Sequence, residues 1–229
     1  MLPHNGFDLR RRSIPLEAIV SGGPPRDGIP AIDRPRFVPA RNARLAPGDR
    51  VLGVLHRGVA RAYPVRILNW HEIVNDRIGT DPIAVTYCPL CGSGVVFSSV
   101  AGGRELDFGV SGLLYESDML LYDRQTESLW SQLKYRAVSG PMLDQRLTRL
   151  PADHTTWRDW RARHPRTEVL SFDTGFERDY GRDPYDGYDR DPATLFPVSR
   201  TDARLPPKTW VLGVEHGGHH KAYPLDALG

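Results

Sequence analysis

The sequence predicts a mainly β protein (α+β with few short helices) whose short strands form barrel-like sheets and include an internal repeat. Three observations predict this class. Gly (22) and Pro (20) are frequent enough to cut the chain into short pieces. Short apolar runs recur between these breaks, at lengths that suit strands. A stretch near residue 51 returns near residue 211 as a second hairpin pattern.

Residues 1–40 read as an extended Gly/Pro-rich N-terminal arm. Within it, SGGPPRDGIPAIDRPRFVP (21–39) cannot be helical, because each Pro lacks an N–H and holds its predecessor extended. Residues 41–229 read as a single globular domain containing the CPLC hairpin and a C-terminal repeat hairpin. Runs 51–54 and 60–63 flank His56-Arg57-Gly58, a hairpin turn, and Pro64 ends the second run. In ILNWHEIVN (67–75), Ile67, Leu68, Trp70, Ile73 and Val74 are spaced for about two helical turns. IAVTY (83–87) and GVVFSSV (94–100) are strands on either side of the CPLC turn. Stretches 105–110, 119–122 and 128–131 supply further strands. TTWRDWRAR (155–163) is a helix with Thr155 or Thr156 as its N-cap. The Asp-, Tyr-, Arg- and Gly-rich stretch 173–193 is an exposed loop that packs through its tyrosines.

The repeat pairs VLGVLHRGVARAYPVRILN (51–69) with VLGVEHGGHHKAYPLDALG (211–229), ten of nineteen positions being identical at an offset of 160. The match reaches back to residues 43 and 203. The second copy stops where the first runs on to NWHE and CPLC. Either the chain is truncated there or, the preferred reading, the copy closes the fold as a hairpin packed pseudo-symmetrically on the first copy.

Bulk properties exclude some classes. A net charge of +2 with no basic block argues against nucleic acid as a partner. No apolar run approaches the roughly 18 residues of a membrane span. The charged N-terminus lacks the apolar stretch of a signal peptide, so the chain as given reads as cytoplasmic, or as exported if a leader was removed. The expected partner is a small molecule of unknown identity.

The chemistry concentrates in Tyr87-Cys88-Pro89-Leu90-Cys91-Gly92. Two Cys three positions apart do not staple distant segments, so they read as a metal half-site or a redox pair. Gly92 permits the turn to adopt a positive φ, as in a zinc knuckle. No second CxxC exists to complete a four-thiolate site. His71, just before the hairpin, is the expected third ligand, with Glu72 orienting it or acting as a base. The polar stretch 109–132 supplies Tyr115 and Asp118 as candidate catalytic residues. His216, His219 and His220 read as a polar hairpin tip. No P-loop, GxGxxG, HExxH or GxSxG motif occurs.

Three readings stay open. The first is a metal-binding protein holding one transition metal ion, zinc or copper, through Cys88, Cys91 and His71, with Asp118, Glu72 or a water as the remaining ligand and Glu72, Tyr115 and Asp118 performing any catalysis. The second is a thiol-disulfide redox protein using Cys88 and Cys91. The third is a non-catalytic binding module with a structural metal knuckle.

Several long strings together resemble one family. They are SGGPPRDGIPAID, VLGV…ARAYPVRILNWHEIVND, AVTYCPLCGSGVVF, FGVSGLLYESDMLLYDRQTESLWSQ and the spaced pattern GPM…RL…TTW…W…HP. On these the chain is identified as resembling the prokaryotic domain of unknown function 3179. The resemblance brings no settled function. It implies that the CPLC hairpin, NWHE and YDRQTESLWSQ are the family's recurring features.

Overall fold

A computed structural model describes residues 3–227. In the arm, β1 (Ile19–Ser21) and β2 (Phe37–Pro39) are short strands. The hairpin β3 (Arg50–His56) and β4 (Val59–Pro64) follows, then helix α1 (Val65–His71). Next come β5 (Ile73–Ile78), β6 (Asp81–Cys88), β7 (Ser93–Ser98), β8 (Val100–Ala101) and β9 (Arg104–Glu105). The polar stretch forms β10 (Phe108–Tyr115), β11 (Asp118–Asp123) and β12 (Leu129–Ser131). After β13 (Arg136–Ala137), β14 (Arg149–Leu150) and β15 (Asp153–Thr156) come helix α2 (Trp157–Arg163) and β16 (Glu168–Leu170). The last strands are β17 (Val211–His216) and β18 (His219–Pro224).

The mainly β class holds, but among the described residues the sheets stay open and none closes into a barrel. The four-stranded sheet β14-β7-β6-β5 is central. Successive side chains of a strand point to opposite faces. Ala84, Cys88 and Phe97 therefore pack with Leu121 and Trp130 of the sheet β1-β10-β11-β12-β13. Ile83, Val85 and Tyr87 pack the other way, with Leu52, Val54 and Tyr63 of the sheet β15-β3-β4-β16-β2. Burial on both faces explains why IAVTY is almost unbrokenly apolar. The arm contributes to these cores: Ile32 is buried beside Val74, and Phe7, Leu9 and Ile14 cover the outer face of the β10–β11 hairpin.

The helix expected over 67–75 ends early. Glu72 caps α1 at φ 58°, in the left-handed region, and turns the chain so that Ile73 and Val74 enter β5. In α2 the N-cap is Thr156, whose hydroxyl accepts from the Asp159 N–H, while Thr155 belongs to β15. Trp160 of α2 lies over Gly53, where a Cβ would meet the indole at 2.3 Å. No helix of the described residues is long and apolar enough to cross a membrane.

The repeat is structural as well as sequential. β3–β4 and β17–β18 share one register, Val51 opposite Pro64 and Val211 opposite Pro224. Both turn on two positive-φ residues, Arg57-Gly58 and Gly217-Gly218, as a right-handed strand twist requires. The expected pseudo-symmetric packing is not found. The first copy is buried between neighbours, whereas Val211, Leu212 and Val214 are exposed and the position equivalent to Gly53, Gly213, faces open space. Among the described residues, no counterparts of β15, β16 and Trp160 lie against the second copy. Residues 228 and 229 of the repeat lie outside the described residues.

Candidate metal centre

One end of the interface between the central sheet and the β10–β13 sheet is polar. Cys88 closes β6, the turn brings Cys91 back over it, and Asp118 opens β11 from the opposing sheet. The two Sγ atoms and a carboxylate oxygen of Asp118 all lie within 4.8 Å of one another. Cys91 Sγ–H donates to Asp118 Oδ1 at 3.3 Å, and the Leu133 N–H donates to Asp118 Oδ2 at 3.2 Å. Cys88 and Asp118 are buried and Cys91 is exposed, so the group has one solvent-facing side. Gly92 is required: it sits at φ 60°, and a Cβ there would come within 2.8 Å of the Trp210 ring. The Arg50 guanidinium stacks on the same ring, 4.2 Å from its centre.

Glu72 faces the same group from the end of α1. Burial, with the Asp118 charge adding to it, pushes its carboxyl up to about 8, and the phenol of Tyr185 offsets part of that rise. Burial likewise raises Asp118 to about 6, against hydrogen bonds from Cys91, Leu133, Met119 and Cys88 that favour the carboxylate. The Cys88 thiol is raised well above its ordinary value, first by burial and then by Cys91, Asp118 and Glu72. Several acids crowded away from water in this way cannot all ionise unless a cation joins them.

The structure does not bring His71 to the thiols. Its Nδ1–H donates to the Pro30 carbonyl at 2.7 Å, which leaves Nε2 to accept from the Tyr180 hydroxyl at 2.6 Å. Both ring nitrogens are thus committed, and burial lowers the ring's pKa, against the Pro30 hydrogen bond that raises it. Asp118, expected either to fill the remaining ligand position or to handle protons, stands where His71 was expected. Tyr115 lies opposite Asp118 across the β10–β11 hairpin, but its ring packs towards the arm-side core with the Lys134 ammonium over it.

The string NWHE has a different role: it holds the loop 173–193 over the site. The Asn69 amide donates to Asp183 at 2.9 Å, the Trp70 indole donates to the Arg182 carbonyl, His71 takes the Tyr180 hydroxyl, and Glu72 meets Tyr185. Tyr188 of the same loop lies close enough to Cys88 and Cys91 for both to raise its pKa. Tyr185 and Tyr188 were not singled out from sequence. The only signal was the density of tyrosines in an otherwise polar loop.

A family model described as "Protein of unknown function (DUF3179)" matches residues 26–229. The chain belongs to this family. The DUF3179 match spans the CPLC turn, Asp118, NWHE and the covering loop, so every part of the site lies inside the family's extent. The search of curated proteins and the search of solved structures each returned no match.

Proposed function

We propose that this DUF3179 protein binds one transition metal ion through Cys88, Cys91 and Asp118, with Glu72 beside the ion as a proton-holding group. The observation that carries the reading is the donor set: two thiols and a carboxylate, from opposing sheets, within 4.8 Å of one another. Zinc suits two sulfurs and one oxygen, whereas the soft Cu(I) ion is matched less well by a carboxylate. Three protein donors leave a four-coordinate zinc ion one position for water or substrate, the arrangement of catalytic rather than structural sites. The exposed side of Cys91 gives that position an approach from solvent. A lone zinc knuckle holding an otherwise separate turn fits less well, because the third donor is contributed by a different sheet.

The thiol-disulfide reading is weaker. The reactive species is the thiolate, and burial keeps Cys88 in its neutral form. The CPLC turn is followed by strand β7, with no helix N-terminus to stabilise a thiolate.

Metal binding must displace protons from raised acids, so its pH dependence tests the reading. Affinity is expected to fall as pH falls, by at least about tenfold per unit between roughly pH 8 and pH 6, one factor of ten for each proton displaced. Zinc titrations of chelator-treated protein by calorimetry, repeated in buffers of different ionisation enthalpy, measure both affinity and proton release. Binding that releases no protons and does not change with pH overturns the assignment.

A further inference from the structure

Resting on the metal reading, we infer that Gln132 is a recognition element of the same site. Its carbonyl oxygen accepts a hydrogen bond from a small protic ligand, one carrying N–H or O–H on the atom next to the metal. Gln132 immediately follows β12 and is completely buried. Its side-chain N–H₂ donates to Thr86 Oγ1 at 2.9 Å and to the Ser93 carbonyl at 3.3 Å. The Ser93 carbonyl can only accept, which fixes the nitrogen on that side and the oxygen on the other.

Those two partners also place the amide. Ser93 is paired with Cys88 across the β6–β7 hairpin, and Thr86 shares with Cys88 one face of β6, two residues apart. The adjoining residue, Leu133, donates its N–H to Asp118. The amide head thus lies at the rung that carries the first thiol and next to the anchor of the third donor. No donor from the described residues reaches its Oε1. A buried acceptor left without a donor is costly, so such groups are matched by water or by a ligand. With a metal bound, the site's carboxylate and thiolates can only accept, which leaves a protic ligand as the group able to donate.

This selects a substrate class: small molecules that ligate through water-like, alcohol or amine atoms, in preference to ligands without a proton on the ligating atom. The test uses the Co²⁺-substituted protein, whose visible spectrum reports occupancy of the fourth position, with ammonia and azide as probes at one fixed pH. Gln132→Met is expected to weaken ammonia binding by about five- to tenfold, the worth of one hydrogen bond, and to leave azide within about twofold. Thr86→Val loosens the same amide without removing its carbonyl, and is expected to leave the ammonia-to-azide ratio unchanged. Equal effects on both probes, an equal change of ratio in Thr86→Val, or no effect on either probe overturns the inference; the last would mark a structural water at Oε1. Failure of the wild type to take up Co²⁺ instead defeats the metal reading beneath it.

Discussion

In metal-free protein, Glu72→Gln is expected to be more stable than wild type at pH 8.5 and about equally stable at about pH 4, below the unfolded pKa of Glu. The sign follows from the direction of the shift. A carboxyl raised to about 8 in the folded chain binds its proton more tightly there than in the unfolded chain. Its contribution to stability is full below the unfolded pKa and is lost as pH rises through the folded value. At about 1.4 kcal/mol per pKa unit the loss is a few kcal/mol, a large share of the stability of a typical domain. Gln has the same shape and no charge, so it removes the loss without opening a cavity. The left-handed backbone at residue 72 is no harder for Gln than for Glu. Thermal melts of both proteins across this pH range, with chelator present, make the comparison. Parallel curves would mean that Glu72 is not the buried acid described here. Adding zinc should reduce the difference, since a cation at the thiols favours the ionised carboxylate.

The second large effect is structural. Trp130→Ala is expected to lower stability by about 3–5 kcal/mol, the range for emptying a buried aromatic site. Trp130 is completely buried, lies edge-on to Phe108 with ring centres 5.9 Å apart, and its indole N–H donates to Asp123 Oδ2 at 2.8 Å. Asp123 is itself fully buried and otherwise relies on the Thr126 N–H and hydroxyl. The substitution thus removes core volume and one donor to a buried carboxylate together. Trp130→Phe, which loses the donor but keeps most of the ring, should fall between the two. Urea denaturation measures all three, and a loss under about 1 kcal/mol for Ala would contradict the packing of the two sheets described above.

Much of this arrangement was legible in the sequence, and what was not has physical reasons. Hairpins were readable because their turns need residues tolerant of positive φ, as at Gly58 and Gly218. The CPLC turn was readable because two thiols at that spacing have few uses. The end of α1 was not, since Glu72 takes a left-handed conformation that no local rule assigns to Glu. Asp118 was readable only as one of several groups that could fill the remaining position, because it arrives from another sheet, thirty residues on by chain from Cys88 and adjacent in space. His71 misled for the converse reason: chain proximity suggested a ligand, while the fold turns the ring away to Pro30 and Tyr180. The repeat was visible in the letters, but its burial was not. Burial depends on β15, β16 and Trp160, which flank only the first copy.

The central claim is that Cys88, Cys91 and Asp118 hold a metal ion and His71 does not. The most direct test is elemental analysis of protein purified without oxygen, for wild type, Cys88→Ser, Asp118→Asn and His71→Ala, with free thiols counted in parallel. The account predicts about one metal per chain in wild type and in His71→Ala, and its loss in Cys88→Ser and Asp118→Asn. Metal retained in Cys88→Ser, or a metal-free wild type whose two thiols titrate freely, would contradict it.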